Sequence, residues 1–209
     1  MIKKYFVLYI STLIILFELV KPCACFSQEQ AGNYIINLKI GAPFATSKTT
    51  FRTYWFSVVD ISLSGLKLTR QNLYMGLGLD YSRFKIGKWL DLESRLFVTN
   101  PNIIVEYNIH LSKRVKISPD FSFGYSWMTF TNPITPSTFI HQYNESGFCI
   151  KPGLGADFIF KNGISLGLAG SYKIIFKRFG DESINQYENR KESDYTSYWN
   201  LGIQCGFSF

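Results

Sequence analysis

Apolar and polar residues alternate with a period of two along nearly the whole chain, and no stretch repeats the 3.6-residue period of a helix. The clearest run is Val115, Ile117, Pro119, Phe121, Phe123, Tyr125 and Trp127. Between these lie Lys116, Ser118, Asp120, Ser122, Gly124 and Ser126. One face of this strand is continuously apolar, and the other is small, polar or charged. The same pattern recurs over 34–40, 55–64, 73–82, 102–111, 148–160, 164–174 and 199–209, which predicts eight strands. In the second of these, Trp55, Val59, Ile61 and Leu63 form the apolar set.

The predicted connections alternate in length. Short ones fall near Thr69–Gln71, Ser112–Arg114 and Lys161–Gly163. Long ones fall at about 43–53, 86–96, 130–146 and 177–194. Short turns at one end and long loops at the other describe an up-and-down antiparallel barrel of the outer-membrane kind, with both termini at the turn end. Phe160 and Ile164 share the apolar face, so Lys161-Asn162-Gly163 should be a three-residue turn with Gly in the left-handed position. Pro119 and Pro152 lie inside predicted strands, where local bulges are expected. The stretch 89–98 alternates in the phase of Leu90, Leu92, Leu96 and Val98, which differs from the phase after Asn100-Pro101-Asn102. The fourth strand is therefore expected to continue beyond the membrane through a bulge.

Composition agrees with a β-rich protein. Apolar residues make up 46%, aromatic 17% and charged only 18%, which excludes a disordered chain. Residues 1–27 read as an export signal: Lys3 and Lys4 precede an apolar run from Tyr5 to Phe17. That run falls short of the ~20 residues a helical span requires. Cys25 and Ser27 place small side chains at −3 and −1 for cleavage before Gln28. Neither Cys23 nor Cys25 follows a Leu-x-small sequence suited to acylation. Residues 28–209 then form one barrel domain. Its cysteines, Cys149 and Cys205, fall on opposite faces and at different depths, so they are expected to remain free.

An eight-stranded barrel could turn its apolar face inward, around a ligand, or outward, against lipid. Glycines crowd the polar face: Gly76, Gly78, Gly124, Gly153, Gly155, Gly167, Gly202 and Gly206. A narrow interior has use for such small residues. Aromatics mark both ends of the apolar face, with Tyr81, Trp127, Phe148, Tyr172 and Trp199 toward the loops. Phe158, Phe160, Phe207 and Phe209 lie toward the turns. These resemble the two interfacial girdles of a transmembrane barrel. The ending Leu201, Ile203, Cys205, Phe207, Phe209 resembles the C-terminal signal that hands outer-membrane barrels to their assembly machinery. Over essentially the whole mature chain the sequence resembles a small outer-membrane β-barrel of the OmpA/OmpX type. The Phe-Ser-Gln signal end and the aromatic richness are similar to the outer-membrane β-barrel domain proteins of Bacteroidota. The resemblance implies an all-β, eight-stranded transmembrane barrel in the cell outer membrane.

The inward face should carry Lys39, Asp60, Asp80, Glu106, Lys116, Asp120, Lys151, Asp157 and Lys173, with His110 nearby. If Leu111 opposes Val115, then Glu106 opposes Asp120, and two carboxylates directly across a ladder need a cation or a proton between them. This set reads as a polar network that fills the lumen, with Tyr74 adding bulk; a proton site or ion path is the alternative. Eight strands leave room for side chains and not for a wide channel. Catalytic signals are weak. Only His110 and His141 are present, with His141 expected in the third long loop beside Tyr143 and Glu145, and no nucleophile motif occurs. No His or Cys pair has metal-ligand spacing, and no cofactor is implied. The connection 177–194 mixes Lys177, Arg178, Arg190 and Lys191 with five acids, a solvated loop that could also meet lipopolysaccharide phosphates or a protein partner. The net charge of +7 forms no basic stripe, so nucleic acid is not an expected partner. The function expected is a non-enzymatic outer-membrane barrel with structural or surface-interaction roles. A lipid-modifying acyl hydrolase or transferase, or a narrow pore, is the alternative.

Overall fold

The computed structural model describes residues 33–46, 55–86, 95–134, 139–176 and 195–209. The segment read as an export signal and the charged connection 177–194 lie outside the described residues. The elements are β1 (Tyr34–Ala45), β2 (Trp55–Arg70), β3 (Leu73–Ile86), β4 (Arg95–Tyr107), β5 (Ile109–His110), β6 (Val115–Ile134), β7 (Phe139–Ile159), β8 (Ile164–Phe176) and β9 (Thr196–Ser208). They form one antiparallel sheet in the order β4-β3-β2-β1-β9-β8-β7-β6-β5, and β4 also pairs with β6. That last pairing closes the sheet. The two-residue β5 prolongs the line of β4 past Asn108, so the wall has eight staves. Closure leaves no free edge along the eight staves, and apart from the short β5, which pairs with β6 alone, every strand has a partner on both sides.

The seam between the first and last strands runs from Ile35↔Ser208 to Ala45↔Tyr198. At its end the amides and carbonyls of Tyr34 and Phe209 exchange two hydrogen bonds of 3.0 Å. Both lie at the end of the short turns. There Phe160 N–H donates to the Ile164 carbonyl at 2.8 Å across the three-residue turn, and Gly163 has φ +79°. Gly tolerates this left-handed conformation at little cost.

The sequence expectations for three irregularities are corrected. No bulge occurs at Pro119 or Pro152. Each proline keeps its partner on the β6–β7 side, as Pro119↔Leu154 and Phe121↔Pro152. On its other side the pairing lapses for a few residues and resumes in the same register: between Glu106↔Asp120 and Ile109↔Ile117 for Pro119, and between Ile150↔Ile174 and Gly153↔Ser171 for Pro152. A missing N–H is thus absorbed as a skipped bond, without an extra residue. The phase change at Asn100–Asn102 is likewise absent. β4 pairs with β3 without interruption from Lys85↔Arg95 to Leu73↔Tyr107. Leu96 and Val98 simply point inward, on the same face as Asn100, Asn102 and Glu106. The stretch 130–146 is mostly paired strand, with β6 and β7 held together out to Ile134↔Phe139, and His141 sits in β7 opposite Asn132. The bulges lie in β2, between Ser57 and Val59 and between Leu68 and Arg70. The first shifts the phase so that Phe56 and Val58 are exposed.

The outer wall is apolar. Leu77 and Leu168 are each 69% exposed, and Leu38, Leu63, Leu79, Ile103, Phe121, Phe123, Leu154, Leu166, Leu201 and Ile203 continue the band. Aromatics border it at both ends. Tyr125–Trp127, Tyr125–Phe148 and Tyr172–Trp199 are in ring contact toward the loops. Phe158–Phe160, Phe207–Phe209 and Tyr34–Phe209 are in contact toward the turns. A monomer rarely offers water so large an apolar belt.

Two apolar plugs sit inside the barrel, and the alternation reading did not anticipate them. Ile35, Leu66, Tyr74 and Ile104 pack at the turn end. Phe84, Leu96, Val98, Met128, Cys149, Ile175 and Tyr198 pack at the loop end. Cys149 is buried in the second plug, whereas Cys205 is exposed on the wall, and neither is in a disulfide.

Candidate functional site

Between the plugs lies a charged layer. Alternation puts it there: Lys39 on β1, Asp60 on β2, Asp80 on β3, Glu106 on β4, Lys116 and Asp120 on β6, Lys151 and Asp157 on β7 and Lys173 on β8 all occupy inward positions. Asp80 is the hub. Lys151 Nζ reaches its two carboxylate oxygens at 2.7 and 2.8 Å, and Lys173 Nζ stands 3.1 Å away. Asn100 Nδ2 donates a fourth contact at 3.2 Å. Asp80 has no exposed surface. Such a carboxylate is tolerable only because cations and donors replace its water.

Two further pairs lie toward the turn end. Lys39 meets Asp120 at 2.6 Å, and Lys116 meets Asp157 at 3.4 Å, where Gln204 Nε2 also donates to Asp157 at 2.5 Å. Toward the loop end, Asp60 accepts from Ser82 Oγ and from Asn200 Nδ2, each at 2.5 Å. The Tyr198 hydroxyl lies 2.9 Å from Ser82 Oγ and links this group to the upper plug.

Glu106 is different. It opposes Asp120 directly across the β4–β6 ladder. Its Oε2 accepts from Asn37 Nδ2 at 3.3 Å, while its buried Oε1 has no partner. Four lysines in this layer serve five acids, and two of the lysines go to Asp80. That leaves Glu106 and Asp60 with no lysine at ion-pair distance among the described residues.

Inward glycines make the room. A Cβ on Gly153 would stand 2.5 Å from Asp120 Oδ1, and one on Gly155 would stand 2.6 Å from Ser118 Oγ. A small void of about 10 Å³ lies beside Lys39, Ser62, Lys151, Ser171 and Asn200.

The arrangement offers little for catalysis. Among the described side chains no imidazole accompanies Ser82 and Asp60, His110 being in β5 at the opposite end, paired with Lys116 in the ladder. The side chain of His141 lies outside the described residues. No group of three His, Cys, Asp or Glu able to hold a metal occurs among the described residues. Of the residues singled out at the chain's end, Leu201, Ile203, Cys205 and Phe207 project outward from β9, and Phe209, just past its last residue, is exposed as well. What sequence reasoning missed is the pair of plugs. The available signal was adjacent apolar residues, Ile35-Ile36, Ile103-Ile104 and Ile174-Ile175, where both faces of a strand are apolar at once.

Solved structures share this architecture. Neisserial surface protein A superposes with a TM-score of 0.54 at 15% identity, covering 87% of this chain and all of that one. A major outer membrane protein from Thermus thermophilus gives 0.56 at 12% identity, covering 84% and 99%. The fold is that of the small outer-membrane β-barrels. Ail, the attachment invasion locus protein of Yersinia pestis, solved in complex with the heparin analogue sucrose octasulfate, gives 0.50 at 11% identity over 85% of this chain and all of its own. No family model and no curated protein matches the chain.

Proposed function

We propose that this chain is an exported, non-enzymatic integral protein of the bacterial outer membrane, a rigid barrel that carries surface loops for structural or interaction roles. The observation that carries the reading is the inversion of the barrel: an exposed apolar wall between two aromatic rows encloses a buried ionic layer. A soluble barrel would gain by hiding that wall, and a ligand carrier would not fill its lumen with paired charges. Apolar side chains pack inside the barrel toward both ends of the lumen, which favours a plugged scaffold over a pore. The chemistry left for function lies in the connections at the loop end. In this reading residues 1–27 direct export, and Leu201, Ile203, Cys205, Phe207 and Phe209 serve recognition by the assembly machinery. The kinship with Bacteroidota barrel proteins belongs to the same proposal and is supported by the aromatic richness and the signal ending.

Cell fractionation and planar-bilayer recording test this. The protein should sediment with outer membranes and migrate faster on a gel unboiled than boiled. It should show no porin-sized conductance and no release of fatty acid from phospholipid. Recovery in the soluble periplasm would sink the membrane assignment, steady large channels the plug, and deacylation the non-enzymatic role.

A further inference from the structure

The three tight turns carry Arg70, Lys113, Arg114 and Lys161, all exposed, and Lys67 stands just above the first turn. No Asp or Glu occurs in 66–73, 111–115 or 160–164. The opposite end mixes both signs: the connections 47–54, 87–94, 135–138 and 177–194 together hold seven basic and seven acidic residues, with Lys85 and Arg95 exposed on the strand ends beside them. What sets the three turns apart is that their cations stand without acids, whereas the loop-end connections carry both signs.

Its placement is informative. The turns join β2 to β3, β5 to β6 and β7 to β8, so the cations are spread around the rim instead of gathered in one patch. They lie just beyond the exposed row of Tyr34, Phe158, Phe160, Phe207 and Phe209. Lys67 is on the outward face, opposite Tyr34 in the β1–β2 ladder, with its ammonium 5.8 Å from the centre of the Tyr34 ring. Interfacial aromatics settle at the depth of lipid headgroups, and a lysine stem on the lipid side carries its charge to the same layer.

We propose that this ring binds the phosphate groups of anionic phospholipids in the periplasmic leaflet, and so fixes the barrel's depth and tilt. A protein or cell-wall partner would be met by one contiguous face, whereas lipid surrounds the whole rim. The inference rests on the membrane reading above.

The test uses the mature barrel refolded into phosphatidylcholine vesicles with and without phosphatidylglycerol. Spin-labelled lipids report the relative association of the two headgroups. The wild type should prefer phosphatidylglycerol by about fivefold or more, as expected of even one basic residue at an anionic surface. Raising NaCl from about 0.05 to 0.5 M should erode that preference, since screening shortens with salt. The variant K67Q/R70Q/K113Q/R114Q/K161Q, checked for heat-modifiable folding, should fall to near parity. A loop-end control, K48Q/R52Q/K85Q/K88Q/K177Q, should keep the preference. Parity in the wild type, or equal loss in both variants, overturns the proposal. So does binding of the wild type to isolated peptidoglycan, lost in the turn variant, without headgroup preference. Failure to insert into either vesicle would instead refute the membrane reading and the proposal with it.

Discussion

Asp80→Asn is the sharpest probe of the interior, because it removes one charge and almost no volume. In the native lumen two lysines and one amide converge on this carboxylate. Lys173 is 1% exposed and Lys151 6%. The substitution leaves two ammonium groups facing a neutral amide in a layer between apolar plugs. Removing one member of a buried ion pair typically costs about 3–5 kcal/mol, most of it the penalty of the abandoned charge. Asp60→Asn supplies the internal standard. Asp60 has no lysine at ion-pair distance among the described residues and accepts from Ser82 on one oxygen and from Asn200 on the other, each bond worth about 1.5–3 kcal/mol against a carboxylate. After Asp60→Asn the amide oxygen keeps the bond from Asn200, and the new NH2 can donate to Ser82 Oγ while Ser82 donates to the Tyr198 hydroxyl. Urea unfolding of the lipid-refolded barrel, followed by tryptophan fluorescence and by the heat-modifiable gel shift, would rank the two. Asp80→Asn should cost at least about 3 kcal/mol, and Asp60→Asn should cost clearly less. Adding Lys173→Met to Asp80→Asn should restore about 1 kcal/mol or more, because neighbours in one network are not additive. If Asp80→Asn matches Asp60→Asn, or costs under about 1 kcal/mol, the hub does not organise the layer.

Glu106→Gln should be neutral or stabilising in the same unfolding assay. It relieves the like-charge opposition to Asp120 and offers an amide donor where an oxygen now lacks a partner; a loss above about 1 kcal/mol would show that Glu106 is needed as an anion. Gly202→Ala should destabilise by about 1–3 kcal/mol, the usual range for overpacking. Its Cβ would fall 2.1 Å from the Ile40 carbonyl oxygen, which as backbone cannot swing aside. An unchanged urea midpoint would mean that the β1–β9 seam is looser than described. Phe209→Ala should lower outer-membrane yield in cells while leaving the refolded barrel's melting temperature nearly unchanged. The two bonds between the Tyr34 and Phe209 backbones do not need the ring. Normal yield at equal expression would remove Phe209 from any assembly signal.

Period-two alternation carried most of the architecture, because a strand's side chains have only two directions and a barrel gives each a different solvent. From Val115 to Trp127 that rule alone sorts every residue to the correct face. It also sets the turn register, since Phe160 and Ile164 must share a face, and through Leu111 opposite Val115 it brings Glu106 against Asp120. What alternation cannot give is depth. Leu96, Val98 and Ile104 are inward yet apolar, and only the closed cylinder shows them stacked as stoppers with residues from distant strands. Nor could the sequence choose the partners of the lysines. Asp80 and Lys151 are 71 residues apart, and they meet because closure and strand stagger bring β3 and β7 to one level across the lumen. The prolines make the same point on the backbone. Sequence rules forbid Pro within a paired strand, whereas the tertiary structure absorbs Pro119 and Pro152 by omitting ladder bonds on one side and keeping the other. A rule about single strands ranks that omission as a defect. In the closed wall the neighbouring bonds hold the register on both sides of each proline.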